Sequence, residues 1–123
     1  MLPQKLKPLK VLYIEDEVLI ALDGEQILRS LGFEDITVAM SYHAGEKAID
    51  SRKFDLALLD INLGGGKTSL TLADRLIGDG VRVLFLSGYS MSDGLRERLR
   101  APSVGKPFDE VMLGDAIQAV LEA

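Results

Sequence analysis

Five residues that could bind a cation or a phosphoryl group each follow a short apolar stretch: Glu15, Asp16, Asp60, Ser87 and Lys106. Carboxylate oxygens are the ligands that Mg²⁺ and Mn²⁺ prefer, whereas an ammonium and a hydroxyl can bind phosphoryl oxygens. Two carboxylates about 4 Å apart repel each other by ~4 kcal/mol at an effective dielectric constant of ~20, so a cluster of three requires a proton or a cation. An aspartate in such a cluster can also act as a nucleophile and form an aspartyl phosphate. These residue types indicate metal-dependent phosphoryl transfer, provided that the fold brings them together.

Each of these residues also has an ordinary structural explanation. Residues 15–17 are all acidic and could cap the helix that follows them. Asp60 and Ser87 could simply form turns, and Lys106 could be a solvated lysine. Only their common position at the ends of four strands favours a shared site.

Short apolar stretches predict five strands, at residues 11–14, 36–39, 56–59, 81–86 and 103–105. Helices are predicted over residues 18–31, in the segment that Ser41 caps, in the segment from Leu70 to the glycines at 78 and 80, over residues 92–100, and in the segment that Asp109 caps. Five strand–helix units with short connections predict an α/β protein, a doubly wound parallel sheet with helices on both faces. The carboxyl ends of its strands would bring the candidate residues to one edge.

Length and composition narrow the class of protein. The 123 residues are enough for one domain with a sizeable core, and we expect a single domain over residues 1–123. The chain has no cysteine, which excludes disulfides and thiolate zinc sites. A net charge of −5 without a basic stripe argues against direct nucleic-acid binding. With neither a signal peptide nor a membrane-spanning apolar stretch in the sequence, we expect a soluble, cytoplasmic protein that has no membrane partner.

Four motifs together resemble the receiver domains of two-component response regulators. They are VLYIEDE at the first strand, FDLALLDINL at the third, LFLSGYS at the fourth and GKPFD near the end. The resemblance covers essentially the whole chain and implies the flavodoxin-like receiver fold, with five parallel strands in the order 2-1-3-4-5. It implies a phosphoacceptor signalling domain, not an enzyme, although such a domain can assist its own phosphorylation and dephosphorylation.

The same resemblance implies a role for each acidic candidate. Asp60 would accept a phosphoryl group from a phosphohistidine of a partner protein. Asp16, Asp60 and the main-chain carbonyl of Asn62 would bind Mg²⁺, or Mn²⁺ in its place, and Glu15 would act through a bound water. The chain would then be a phosphoprotein of a two-component phosphorelay.

The resemblance also implies roles for the remaining candidates and for partner proteins. Lys106 would bind phosphoryl oxygens, through a peptide bond to Pro107 that is typically cis, and Ser87 would bond the phosphate once the site is loaded. The phosphodonor would be a sensor histidine kinase or a histidine phosphotransferase. Because no output domain follows in the sequence, we expect the receiver to act on a separate downstream protein, to pass the phosphoryl group onward or to drain it from a kinase. The helix after the fourth strand could also pair two copies as a homodimer.

The sequence departs from the common receiver pattern at the residue that reports phosphorylation. Receivers commonly carry an aromatic residue three positions before the lysine, where this chain has Ser103. This departure, with Tyr89 close behind Ser87, resembles atypical stand-alone receivers that have an FATGY-like strand-four motif, and we hypothesise that Tyr89 replaces the missing aromatic. Two alternatives stay open: an adaptor that keeps the receiver fold but works without phosphorylation, and a Mg²⁺-dependent phosphohydrolase.

A glycine-rich stretch, residues 64–66, precedes Lys67 and Thr68 and partly matches a nucleotide-binding P-loop. The P-loop pattern requires a glycine five residues before Gly66, where Ile61 stands. We therefore predict a flexible turn whose amides lie near the metal site.

Overall fold

The structure, a computed structural model, describes residues 6–88 and 98–123. Its five strands are β1 (Lys10–Ile14), β2 (Asp35–Ala39), β3 (Leu56–Asp60), β4 (Arg82–Ser87) and β5 (Ser103–Gly105). They form one parallel sheet in the order β2-β1-β3-β4-β5, which confirms the predicted fold class and strand order. Parallel neighbours need a crossover connection, so the chain alternates strands with helices.

The described residues contain the helices α1 (Val18–Leu31), α2 (Tyr42–Ser51), α3 (Leu70–Gly78) and α4 (Glu110–Glu122). Both predicted N-caps are present, since Ser41 Oγ accepts a hydrogen bond from the Ala44 N–H at 3.0 Å and Asp109 Oδ1 accepts one from the Met112 N–H at 2.8 Å. The first helix ends, as predicted, at Gly32, which has a left-handed φ of 119°.

One predicted element lies mostly beyond the described residues. The helix predicted over residues 92–100 is outside them except for residues 98–100, and Tyr89 is outside them as well. Within the ranges 6–88 and 98–123, the helices are all too short or too polar to cross a membrane.

At their carboxyl ends, two strands extend one residue further than the apolar stretches predicted. Asp60 pairs with Leu86 across β3 and β4, and Ser87 pairs with Gly105 across β4 and β5. The strand ends where main-chain pairing with its neighbour ends, whatever the polarity of the side chain. The sheet itself therefore holds the backbone of two candidate site residues.

The central strands are buried on both faces, as their continuous apolar sequences predict. Successive side chains of a strand point to opposite faces, so Ile14 and Leu59 pack on the side of α2 and α3, whereas Tyr13 and Leu58 pack on the side of α1 and α4. The two strands that precede Glu15 and carry Asp60 are thus fixed by core packing from both sides.

Helix α1 approaches the sheet closely at Gly24. A Cβ atom at this position would lie 2.3 Å from the hydroxyl oxygen of Tyr13, closer than any side chain allows. The Tyr13 side chain is buried, and its hydroxyl donates to the carbonyl of Ile20 at 3.3 Å. This contact ties α1 to β1 just ahead of the acidic residues.

Candidate functional site

Four strands bring their carboxyl ends to one edge of the sheet, and each places a predicted residue there. Glu15 directly follows β1, Asp60 ends β3, Ser87 ends β4 and Lys106 directly follows β5. Main-chain hydrogen bonds fix the outer two, since the Glu15 N–H donates to Ala39 O at 3.0 Å and the Lys106 N–H donates to Ser87 O at 2.7 Å. The juxtaposition that the sequence required is therefore present.

Three carboxylates converge at this edge. Glu15, Asp16 and Asp60 each offer one oxygen, and these three oxygens lie within 4.8 Å of one another. Glu15 is fully buried and Asp60 is 6% exposed, whereas Asp16 is partly exposed. A set of oxygen ligands with water on one side suits Mg²⁺ or Mn²⁺, because Mg²⁺ keeps several of its water ligands in protein sites. The donor set present here fits such an ion.

The two carboxylate oxygens of Glu15 make different contacts. Oε1 accepts a hydrogen bond from Lys106 Nζ at 2.8 Å, and Oε2 accepts one from the N–H of Glu17 at 3.2 Å. Glu17 is the N-cap residue of α1, but no side chain caps this helix, so Glu15 only holds the backbone that leads into it. The same side chain also belongs to the acidic cluster, so its structural and functional roles are not exclusive.

The ammonium of Lys106 lies between two carboxylates. Its Nζ is 2.8 Å from Glu15 Oε1 and 3.1 Å from Asp60 Oδ2. The lysine side chain is only 16% exposed, so solvent screens these pairs less than it screens a surface ion pair. The peptide bond between Lys106 and Pro107 is cis, as predicted. One protein cation therefore already offsets part of the negative charge of the cluster.

Burial and charge set the protonation of this site. The pKa of Asp60 is raised from 3.8 to about 7, by burial first and then by the hydrogen bond and negative charge of Glu15, and this net rise includes the opposing effect of Lys106. For Lys106, burial acts to lower the pKa, but the hydrogen bond to Glu15 and the two carboxylate charges outweigh it, so the net shift is upward. The ammonium is thus charged at neutral pH, whereas Asp60 is only partly ionised until a further cation favours its carboxylate form.

Ser87 reaches the same edge, but its hydroxyl bonds a neighbouring strand. The side chain is buried, and Oγ donates to the carbonyl of Val104 at 3.4 Å. A hydrogen bond of this length is weak, so rotation of the hydroxyl toward a group on Asp60 would cost little. The role of Ser87 in binding phosphate stays a prediction.

Asn62 lies in a small hairpin that follows β3. The hairpin is closed by hydrogen bonds from the Leu63 N–H to Lys67 O at 3.0 Å and from the Ser69 N–H to Ile61 O at 2.9 Å. Successive carbonyls of an extended chain point to opposite sides, so the Asn62 carbonyl points away from the opposite arm of the hairpin. It takes part in neither of these two bonds, which is what a main-chain metal ligand requires.

The hairpin turns at three consecutive glycines with positive φ, namely Gly64 at 82°, Gly65 at 59° and Gly66 at 77°. This backbone conformation costs other residues roughly 1–2 kcal/mol each, which explains the run of glycines. A Cβ atom at Gly64 would lie 3.4 Å from Asp16 Oδ2, so the turn borders the acidic cluster. The turn was predicted, but the sequence did not indicate which glycine contacts the cluster.

One aromatic neighbour of this hairpin is not predicted from the sequence. The ring of Tyr42 lies with its centroid 4.7 Å from Lys67 Nζ. The two residues are on different elements, and no local spacing in the sequence connects them. Only the tertiary structure could reveal the contact.

Comparison with known proteins identifies sequence relatives of the chain. A family model described as the response regulator receiver domain matches residues 11–118. The phyllosphere-induced regulator PhyR of Methylorubrum extorquens is 33% identical over 115 residues, which cover 91% of this chain and 43% of PhyR. The chain therefore spans less than half the length of this curated relative.

Solved structures show the same architecture. The receiver domain of PhyR from Erythrobacter litoralis is 32% identical, with a TM-score of 0.80, over 93% of this chain and 90% of that one. SdrG from Sphingomonas melonis Fr1 is 28% identical, with a TM-score of 0.76, over 92% of this chain and 96% of that one. A CheY-like receiver domain from Methylobacillus flagellatus, 23% identical, shares the fold with a TM-score of 0.75.

Proposed function

We propose that this chain, which belongs to the family of response regulator receiver domains, accepts a phosphoryl group on Asp60 in a Mg²⁺-dependent reaction. One observation carries the proposal: Lys106 Nζ lies 2.8 Å from Glu15 and 3.1 Å from Asp60, beside the carboxylate of Asp16. This arrangement combines a nucleophile, a cation for phosphoryl oxygens and oxygen ligands for a metal ion. Receiver domains are generally signalling domains rather than enzymes, and we place the chain in two-component signalling.

In the proposed transfer, a carboxylate oxygen of Asp60 forms a bond to phosphorus while the bond from phosphorus to a histidine nitrogen of the donor breaks. The electron pair of the broken bond stays on the departing nitrogen, and Asp60 becomes an acyl phosphate. Lys106 binds a phosphoryl oxygen through its ammonium, and Ser87 donates its hydroxyl to another. The chain's own contribution is thus to orient the nucleophile and to offset charge.

For the metal ion we propose the ligands that the resemblance to receiver domains implies, and the cluster of Glu15, Asp16 and Asp60 supports this choice. Asp16, Asp60 and the main-chain carbonyl of Asn62 would hold Mg²⁺, with Glu15 acting through a water. When bound, the ion supplies positive charge to the carboxylates and to the phosphoryl oxygens during transfer. The raised pKa of Asp60, about 7, supports this assignment because a cation would favour the ionised nucleophile.

The surface beside the site supports a protein as the phosphodonor. A cavity of about 470 Å³ lies between α1 and the stretch after β5, where Leu19, Lys106 and Phe108 are among its lining residues. Leu19 is 81% exposed and Leu22 is 55% exposed. Exposed apolar side chains grouped beside a reactive site favour contact with another protein. We propose that a sensor histidine kinase or a histidine phosphotransferase docks here.

The output is proposed to be a changed surface that a downstream protein binds. Relatives named as a phyllosphere-induced regulator and as a stress response regulator support a regulatory output. Ser103, exposed on β5 where receivers commonly carry an aromatic, favours the alternative of an adaptor that works without phosphorylation. Replacement of that aromatic by Tyr89, a homodimer and a cytoplasmic location stay predictions from the sequence.

Intact-mass spectrometry tests the proposal directly. The protein is incubated with Mg²⁺ and a small phosphodonor such as acetyl phosphate, and the mass of one added phosphoryl group is expected. Asp60→Asn should abolish the adduct, and Asp16→Asn should slow its formation. The matched control is Asp79→Asn, which removes an exposed carboxylate just before β4 and should behave like the native protein.

Each of the other outcomes would support a different function or a different phosphoacceptor. An unmodified mass under all conditions would support the adaptor and refute the phosphoacceptor. Release of many equivalents of phosphate per protein would support the phosphohydrolase. An adduct that persists in Asp60→Asn would place the acceptor elsewhere in the chain.

A further inference from the structure

A lysine and a tyrosine join the glycine turn to the neighbouring helices. Lys67 closes the turn, since its N–H donates to Gly64 O at 3.0 Å and its carbonyl accepts from the Leu63 N–H at 3.0 Å. Its ammonium lies 4.7 Å from the centroid of the Tyr42 ring, within the range of a cation–π contact. The hydroxyl of Tyr42 in turn lies 2.7 Å from Thr71 Oγ1 on α3.

The position of Tyr42 is itself tied to the acidic cluster. Tyr42 is the first residue of α2 and directly follows Ser41, whose side chain caps the helix by accepting from the Ala44 N–H. Three residues before Tyr42, the carbonyl of Ala39 accepts from the N–H of Glu15 at 3.0 Å. The segment that fixes the backbone of Glu15 therefore also positions the backbone of Tyr42.

The turn needs such a contact because its three central residues are all glycines. Three successive glycines lose more conformational freedom on ordering than any other tripeptide, so the hairpin pays a large entropic cost to stay in one conformation. The turn also borders the cluster, with the Cβ position of Gly64 3.4 Å from Asp16 Oδ2. A contact that holds Lys67 in place restricts the whole turn.

We propose that Tyr42 and Lys67 are positioning residues for the metal site. Their contact holds the glycine turn beside Asp16 and thereby keeps the preceding hairpin residue, Asn62, with its carbonyl directed away from the hairpin and available to the ion. This inference rests on the proposed Mg²⁺ site, and it assigns a role to two residues that touch neither the ion nor the phosphoryl group.

The positioning role and simple electrostatics predict opposite effects on Mg²⁺ affinity when the charge of Lys67 is removed. Removing a positive charge near an acidic cluster should strengthen the binding of a cation if only long-range charge mattered. Removing the cation–π contact should instead weaken Mg²⁺ binding, because the turn is released. The sign of the change in Mg²⁺ affinity therefore separates the two explanations.

The experiment is a Mg²⁺ titration of the full chain, monitored by ¹H–¹⁵N NMR. The spectra report the dissociation constant and the chemical shifts of the amides in the glycine turn. Tyr42→Leu and Lys67→Met should each raise the dissociation constant roughly two- to fivefold, the range that a contact of about 0.5–1 kcal/mol supplies. Both should also speed hydrogen exchange of the amides at positions 63 and 67, which hydrogen bonds within the hairpin protect. Lys67→Arg keeps a cation over the ring, and Tyr42→Phe keeps the ring itself. Both variants should therefore behave like the native protein.

Controls keep the result interpretable. Lys53→Met removes the charge of another exposed lysine, outside the hairpin, and should not weaken binding. Because Tyr42 also packs against the core, Lys67→Met, at an exposed position, tests the contact with little risk to folding. Native or tighter Mg²⁺ binding in Lys67→Met, with unchanged exchange of the amides at positions 63 and 67, would overturn the positioning role. If the native protein itself shows no Mg²⁺ response, the proposed metal site fails first.

Discussion

The substitution Asp60→Asn should remove a pH-dependent loss of stability that the native protein carries. Burial and the neighbouring Glu15 together raise the pKa of Asp60 from 3.8 to about 7 in the folded protein, against the opposing effect of Lys106. A group whose pKa is raised on folding contributes stability below its unfolded pKa, and that contribution is lost as the pH rises through about 7. Asparagine does not titrate, so the variant should lack this loss.

The magnitude follows from the width of the pH window. Between about pH 5.5 and pH 7 the folded protein retains a proton on Asp60 that the unfolded chain has released, a span of roughly 1.5 pKa units. Each unit corresponds to about 1.4 kcal/mol, so the free energy of unfolding should fall by about 2 kcal/mol more in the native protein than in the variant between pH 5.5 and pH 8. Titratable groups distant from Asp60 are the same in both proteins and cancel in this difference.

Urea unfolding followed by circular dichroism at the two pH values measures the effect, with EDTA present to remove divalent cations. The exposed-carboxylate variant Asp79→Asn is the control and should follow the native protein. If the native protein and Asp60→Asn lose stability in parallel, the pKa of Asp60 is not raised on folding, and the electrostatic account of the cluster is wrong.

Two further substitutions test close contacts of glycines. Gly24→Ala should lower the free energy of unfolding by about 1–3 kcal/mol, because the added methyl group would overlap Tyr13. The same substitution should lower it less in a Tyr13→Leu background. Strictly additive losses in this double-mutant cycle would refute the contact. Gly64→Ala should weaken Mg²⁺ binding measured by calorimetry, because its methyl group would pack against Asp16 Oδ2 at 3.4 Å and occupy space beside an oxygen that is proposed to serve the ion. Gly66→Ala has a similar positive φ but would meet no described atom within 4 Å, so equal affinities in the two variants would contradict this reasoning.

The fold could be predicted from the sequence because its elements are encoded locally. Continuous apolar stretches such as residues 11–14 indicate strands buried on both faces, and Ser41 and Asp109 indicate helix starts. Strand ends were less well predicted, because pairing with a neighbouring strand carries β3 on to Asp60 and β4 on to Ser87. Sequence polarity alone ends both strands one residue too early.

The site could be predicted in part for a similar reason. Residues that directly follow or end parallel strands must share an edge, so the meeting of Glu15, Asp60 and Lys106 needs only the topology. Side-chain contacts made across elements are not encoded by local spacing. The bond from the Ser87 hydroxyl to β5 and the contact of Tyr42 with the glycine hairpin are of this kind.

Anomalous diffraction from crystals grown with Mn²⁺ in place of Mg²⁺ tests the central claim most directly. One manganese peak is expected in contact with carboxylate oxygens of Asp16 and Asp60 and with the main-chain carbonyl of Asn62, and Glu15 should be linked to the ion through a water. A peak at another place, or no peak at this edge when manganese is in large excess, would contradict the claim that these carboxylates form one metal site around the phosphoacceptor.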